Sequence, residues 1–332
     1  MIYIACPEKF ATGGTELLHQ LCYKLKSFEI EAKIYYYNKT TDNPIADRFL
    51  KYNVEWTEEI VDSSDNILIV PEINVELLNK YKNINKYIWW LSVDNYKKKY
   101  KEYFKFNLNN LDDFQQKLKF YIKTLIKGIN ENKNIFINKN IKHLVQSKYA
   151  EEFLKLKGVN IKKIKYLSDY INDDFYIENL ENSKRENNIL FNPRKGLKRT
   201  RKIMKLFPEF NYIPIQNMTP QEIKELCLKS KVYIDFGNHP GKDRFPRETA
   251  SLGCIVLTNK RGSAKYFEDV SIPIRYKYDE TDEEFKRLGR NIEEIFKDYE
   301  KIFGEYNIYR EKIKKEEQNF EEEILNIFRN KI

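Results

Sequence analysis

Short apolar runs bounded by turn residues alternate with segments of helical spacing along most of the chain. The run "IYIAC" (2–6) leads through a glycine-containing loop into "LLHQLCYKL" (17–25), whose apolar positions recur every three or four residues, and then into "AKIYYY" (32–37). That change of period predicts strand, helix, strand. "NILIVPE" (66–72), "YIWWLSVD" (87–94) and "HLVQS" (143–147) are continuous and rich in β-branched or aromatic residues. Such runs suit parallel strands buried on both faces. A second alternating series begins with "NILFNP" (188–193), a basic helix at 198–206 and "FNYIPI" (210–215). It continues with a helix "PQEIKELCLKS" (220–230), in which Thr219 is the N-cap and Glu222 its capping-box partner. "VYIDFG" (232–237), a helix at 246–252, "CIVLTN" (254–259) and a charged helical C-terminus complete it.

Between the two series, residues 176–188 ("YIENLENSKRENN") are polar and aperiodic, which marks a linker. The pattern therefore predicts an α/β protein of two facing, Rossmann-like doubly wound domains, over 1–175 and 189–310, followed by a C-terminal helix over 311–332. A length of 332 residues agrees with two domains at about 100–200 residues each. In such sheets ligands bind beyond the carboxyl ends of the strands. Within the first domain, 95–142 is an insertion where lysines interleave with aromatics and apolar residues recur at helical spacing. This basic helical segment reads first as an insertion helix packed on its own domain with its lysines in water, and it also suits an anionic membrane surface.

Composition adds less. The net charge of +9 favours a polyanionic partner, but lysine, asparagine, isoleucine and tyrosine are abundant everywhere, as a general compositional bias would make them. Cys6, Cys22, Cys227 and Cys254 stand singly in apolar runs and read as buried thiols of a reducing compartment. With no signal-peptide pattern and no run of 18 apolar residues, the expected location is the cytoplasm, peripheral on the inner membrane face if the insertion binds lipid. Neither His-Glu-x-x-His nor paired Cys/His spacing occurs, and "LDD" (111–113) and "NDD" (172–174) read as turn or cap carboxylates, so no metal is expected.

Three loops at predicted strand ends carry the candidate chemistry. In "FATGGTE" (10–16), Gly13 and Gly14 open a helix, where amides and the helix dipole favour an anion; a tight turn that merely starts the helix explains them as well. In "FNPRKGLKR" (191–199), Arg194 and Lys195 are placed to neutralise a diphosphate, or else form a solvated basic turn. The third, 235–269, holds His239, Lys242, Arg244, Arg247 and Glu248 around a helix start, then the turn Arg261-Gly262-Ser263. An acidic residue in that position can accept from both hydroxyls of a ribose, as in dinucleotide folds. Asp94, at the end of "WWLSVD", is placed either to act on an acceptor hydroxyl or to cap the next segment. His19 and His143 read as structural.

The string "PRETASLGCIVLTNKRGSAKYFED" resembles the donor-site segment of the retaining glycosyltransferases of family 4 and their relatives, where a Glu, an A-x-x-G-x-x-V run and a glycine turn follow in that order. "GGTE", "VQSKYAEEFLKLKG" (145–158) and "PRKG" extend the resemblance over most of the chain. It implies the two-domain GT-B fold and metal-independent transfer of a sugar from a nucleoside diphosphate to a glycan or lipid-linked acceptor. Carried over, it puts Glu248 on the donor ribose, Arg194 and Lys195 on the diphosphate, and Gly14 on the diphosphate or transferred sugar. The family often has an earlier Glu, and the position eight before Glu248 is Pro240. Two rival readings stay open: a sugar-nucleotide epimerase or hydrolase of the same architecture, and a non-catalytic polyanion or membrane-surface binder. The glycine turns clustered at strand ends are harder to explain on the second of these, whether the polyanion is a nucleic acid or a membrane surface, and nucleic acid is not the expected partner.

Overall fold

The structure, a computed structural model, describes residues 1–99, 135–177, 180 and 184–329. Most of the 95–142 segment lies outside the described residues. The chain forms two compact units, Met1–Ser168 with Glu321–Ile332, and Asp169–Phe320. Ile171 and Phe175 already belong to the core of the second unit, so the chain enters that unit upstream of 176–188.

The first unit is built on a seven-stranded sheet, entirely parallel, of order β3-β2-β1-β4-β5-β6-β7. The strands are β1 (Ile2–Pro7), β2 (Ala32–Tyr37), β3 (Trp56–Thr57), β4 (Ile67–Pro71), β5 (Asn85–Trp90), β6 (Ile141–Val145) and β7 (Ile164–Tyr166). The apolar runs of β1, β4 and β5 are buried on both faces, as continuous runs in a covered parallel sheet must be. Trp89 and Trp90 are fully buried, and each indole finds an acceptor: Trp89 donates to the Leu167 carbonyl at 2.9 Å and Trp90 to His143 Nδ1 at 3.1 Å. The second bond fixes His143 as the Nε2–H tautomer, and burial pushes its pKa down to about 4, so it is a neutral core residue.

The second unit holds a five-stranded parallel sheet of order β12-β11-β10-β8-β9, made from β8 (Glu186–Phe191), β9 (Asn211–Pro214), β10 (Ser230–Asp235), β11 (Ile255–Asn259) and β12 (Lys277–Tyr278). The expected capping box is present: Thr219 Oγ1 accepts from the Glu222 amide, and the Glu222 carboxylate accepts from the Thr219 amide at 2.7 Å. Helices Asp282–Lys297, Tyr299–Glu305 and Asn307–Lys314 follow, and the last helix, Glu316–Phe328, buries Phe320, Ile324 and Phe328. The four cysteines are buried free thiols. Among the described residues no helix is long and apolar enough to cross a membrane.

Candidate functional site

In each sheet the strand order reverses at one point, and there two neighbouring strands send their following segments in opposite directions and leave a crevice at their carboxyl ends. In the second unit the reversal lies between β8 and β10. The loops that leave these strands are 192–196 and 236–243, which hold Arg194, Lys195, His239 and Lys242 of the residues singled out in the sequence.

The two loops are packed backbone to backbone. Gly196 has φ +63°, and a Cβ there would stand 2.2 Å from the Phe236 carbonyl oxygen, so only glycine fits. Asp235 Oδ1 accepts from the Gly237 amide at 2.9 Å, turning the chain as β10 ends. His239 sits at φ +47°, a conformation costly for a residue with a Cβ. It is held from outside: the Ser263 amide donates to the His239 carbonyl at 2.9 Å and Ser263 Oγ to the Gly241 carbonyl at 2.6 Å. Gly262 and Ser263 thus brace the 236–243 loop; Ser263 spends its amide on protein rather than on a ligand.

The charges separate into two groups. Arg247 is fully buried and forks onto two carboxylates, Asp169 at 2.7 Å and Glu316 at 2.6 Å, while Lys242 lies 3.6 Å from Asp169 and 2.9 Å from Glu316. Burial alone would raise the Asp169 pKa, and Arg247 and Lys242 beside it hold it below the ordinary carboxylate range. Arg247 and Lys242, read from the sequence as donor ligands, are therefore built into an internal ion network. The second group runs Lys195–Asp243–His239–Asp235. Lys195 is ion-paired with Asp243, His239 is completely buried between the two aspartates, and the Tyr233 hydroxyl donates to Asp235 at 3.1 Å. Asp235, His239 and Asp243 could each turn one ligand atom to within 4.8 Å of the others. Lys195 already sits on Asp243, and a divalent ion would have to displace it.

The cationic side of the crevice is formed by two helix starts. Helix Leu197–Leu206 follows Gly196, and helix Arg244–Ser251 follows Asp243; neither has a side-chain cap or an acidic residue in its first turn. Asp243 stands at the N-cap but gives its carboxylate to Lys195 and His239. The uncapped amides, exposed Arg194 and half-buried Arg244 make an electropositive edge suited to phosphate. Glu248 lies in the same short helix, buried. The helix starts at Arg244 rather than near Pro246; the proline takes the third position, still within the first turn, where its missing amide has no intrahelical bond to lose.

In the first unit the reversal lies between β1 and β4. Gly13 and Gly14 begin helix Gly13–Ser27, which Thr12 caps through a reciprocal pair with Thr15. Asp94 does not end a strand: β5 stops at Trp90, Ser92 Oγ accepts from the Asn95 amide, and 93–99 are helical. Its carboxylate accepts from the Tyr149 hydroxyl at 2.9 Å and lies 3.7 Å from Lys97. The sequence reading missed Glu72, which follows β4 and accepts from the Leu91 amide at 2.9 Å. Burial pushes its pKa up to about 7, against the hydrogen bonds from the Leu91 and Ser92 amides. A carboxyl raised in this way stabilises the fold fully below the ordinary carboxylate range and loses that contribution as pH rises through 7. Glu72→Gln keeps an acceptor for Leu91 and no charge; it should match the wild type at pH 5 and exceed it in stability by up to about 3 kcal/mol at pH 9, read by urea unfolding.

No protein-family model and no curated protein sequence matches the chain. Solved structures do. Sucrose-phosphate synthase from Thermosynechococcus elongatus superposes with a TM-score of 0.64 at 11% identity, covering 99% of this chain and 98% of that one. The lipopolysaccharide outer core galactosyltransferase WaaB gives 0.60 at 12%, covering 100% and 99%, and Anabaena HepE in complex with UDP-glucose 0.57 at 8%, covering 99% of each. The chain has the fold of these enzymes: two α/β units, one a seven-stranded and one a five-stranded parallel sheet, with a helical C-terminus, which is the GT-B architecture.

Proposed function

We propose that this chain is a glycosyltransferase that takes a sugar from a nucleoside-diphosphate donor and passes it to a glycan or lipid-linked acceptor. The observation that carries the proposal is the crevice at the β8/β10 reversal, where two uncapped helix starts, Arg194 and Lys195 stand together with Glu248. An array of cations and amides is what a diphosphate leaving group needs as negative charge builds on it, and it does the work without a metal. Glu248 is assigned to the ribose hydroxyls. The acceptor is assigned to the first unit's loops, with Asp94 orienting or deprotonating its hydroxyl, and the transfer is taken to be retaining, by resemblance. The likeness to HepE in complex with UDP-glucose and to WaaB supports the donor class.

Burial of His239 argues against the epimerase reading, because the one histidine in this loop lies under the crevice with no exposed surface to move protons on a sugar. Glu248→Gln should weaken nucleoside-diphosphate binding about tenfold, the value of one lost charge-assisted hydrogen bond, read by isothermal titration. Unaltered affinity in that variant would remove Glu248 from the site.

A further inference from the structure

We propose that His239 is a positioning residue that governs, through Asp243, whether the Lys195 ammonium is free to meet a diphosphate, so that the site takes a nucleoside diphosphate best when His239 is an imidazolium. This deepens the function proposed above and rests on it.

Both ring nitrogens face only oxygens. Nε2 lies 3.2 Å from the Asp235 carbonyl and 3.6 Å from its Oδ1, and Nδ1 lies 3.2 Å from Asp243 Oδ2. A neutral imidazole has one N–H and would turn a lone pair at one of these acceptors; the imidazolium offers an N–H to each side. His239 Nδ1 and Asp243 Oδ2 are both buried without an aligned hydrogen bond, so this contact has no other polar group to satisfy it. The ring is completely buried between the two aspartates, and the bond from the Ser263 amide holds its backbone, so no solvent-exposed position is open to it. What changes is therefore charge, with the groups facing the ring being Asp235 on β10, Asp243 before helix Arg244–Ser251, and Lys195 beyond Asp243; Tyr233 reaches it only through Asp235. Burial alone would lower the His239 pKa, and the two aspartates carry it above the ordinary histidine value.

The consequence falls on Lys195. With His239 neutral, Lys195 is the counter-charge of buried Asp243 and stays on it. With His239 charged, Asp243 is compensated from the other side and Lys195 can turn to the phosphates. Because linkage is reciprocal, a diphosphate that binds the protonated state better must raise the His239 pKa by the same factor.

The test uses the full chain and UDP, GDP and ADP as probes, between pH 7 and 9, where the terminal phosphate is already ionised. The chain has three histidines, and ring-proton NMR follows each; His239→Gln or, if that variant does not fold, Asp243→Asn assigns the signal. The nucleotide that binds should raise the His239 pKa by about one unit, with wild-type affinity falling about tenfold across it and the fall absent in Asp243→Asn. Binding with no shift of the His239 pKa, or with the same pH profile in wild type and variant, would overturn the proposal while leaving the donor site standing. If no nucleotide binds at any pH, the function reading itself fails, and this inference with it.

Discussion

Arg247→Met should cost the second unit about 3–5 kcal/mol, a fall in melting temperature of about 10 °C. The guanidinium is fully buried and is the bidentate partner of Asp169 and Glu316. Methionine fills part of the volume but leaves two buried carboxylates sharing Lys242, which lies 3.6 Å from one and 2.9 Å from the other. Removing one member of such a set strands charge in a low dielectric, which costs far more than the intact network contributes. Arg247→Lys keeps the charge without the planar fork and should lose less. Thermal unfolding of the three proteins checks the order. A melting temperature for Arg247→Met equal to the wild type would mean that the carboxylates are solvated, contrary to the burial described.

Gly262→Ala is the second. At φ +49° a Cβ would stand 1.9 Å from the His239 carbonyl oxygen and 2.5 Å from that of Asn238, so the backbone of the 236–243 loop must move. The shift breaks the bond from the Ser263 amide to His239 and releases a residue that is held in a left-handed conformation only by its surroundings. A loss of about 2–3 kcal/mol is expected, with nucleotide affinity down tenfold or more. Gly158→Ala is the control: its φ is +80° but nothing lies within 4 Å of the added carbon, so it should cost about 1 kcal/mol and leave affinity alone. Equal effects of the two alanines on binding would show that the loop does not depend on this brace.

Strand and helix positions were readable because burial on both faces leaves a mark on neighbouring residues. "AKIYYY" coincides with β2, and "VYIDFG" and "CIVLTN" each fall within two residues of β10 and β11. The Thr219–Glu222 box was readable for the same reason, since cap and partner are three residues apart. Edge strands of two or three residues, such as Trp56–Thr57 and Lys277–Tyr278, are too short for any period. The fate of the charged site residues depends on partners distant in sequence. Arg247 looked like a ligand because Asp169 and Glu316 are 78 and 69 positions away. Lys195 meets Asp243 across 48 positions. Asp235, His239 and Asp243 run from the end of β10 through the loop behind it, where no helical rule says that they converge. Glu72 looked like the polar end of a strand; only the packing of β4 beside β5 buries it.

The crevice at the β8/β10 reversal is proposed to bind a nucleoside diphosphate. Isothermal titration of the full chain with UDP, GDP and ADP at moderate salt tests it most directly. The account predicts saturable one-to-one binding of at least one of them, weakened by Glu248→Gln and by Lys195→Ala. No heat with any nucleotide, together with salt-sensitive binding to anionic lipid vesicles, would contradict it and leave a surface-binding protein on a glycosyltransferase fold.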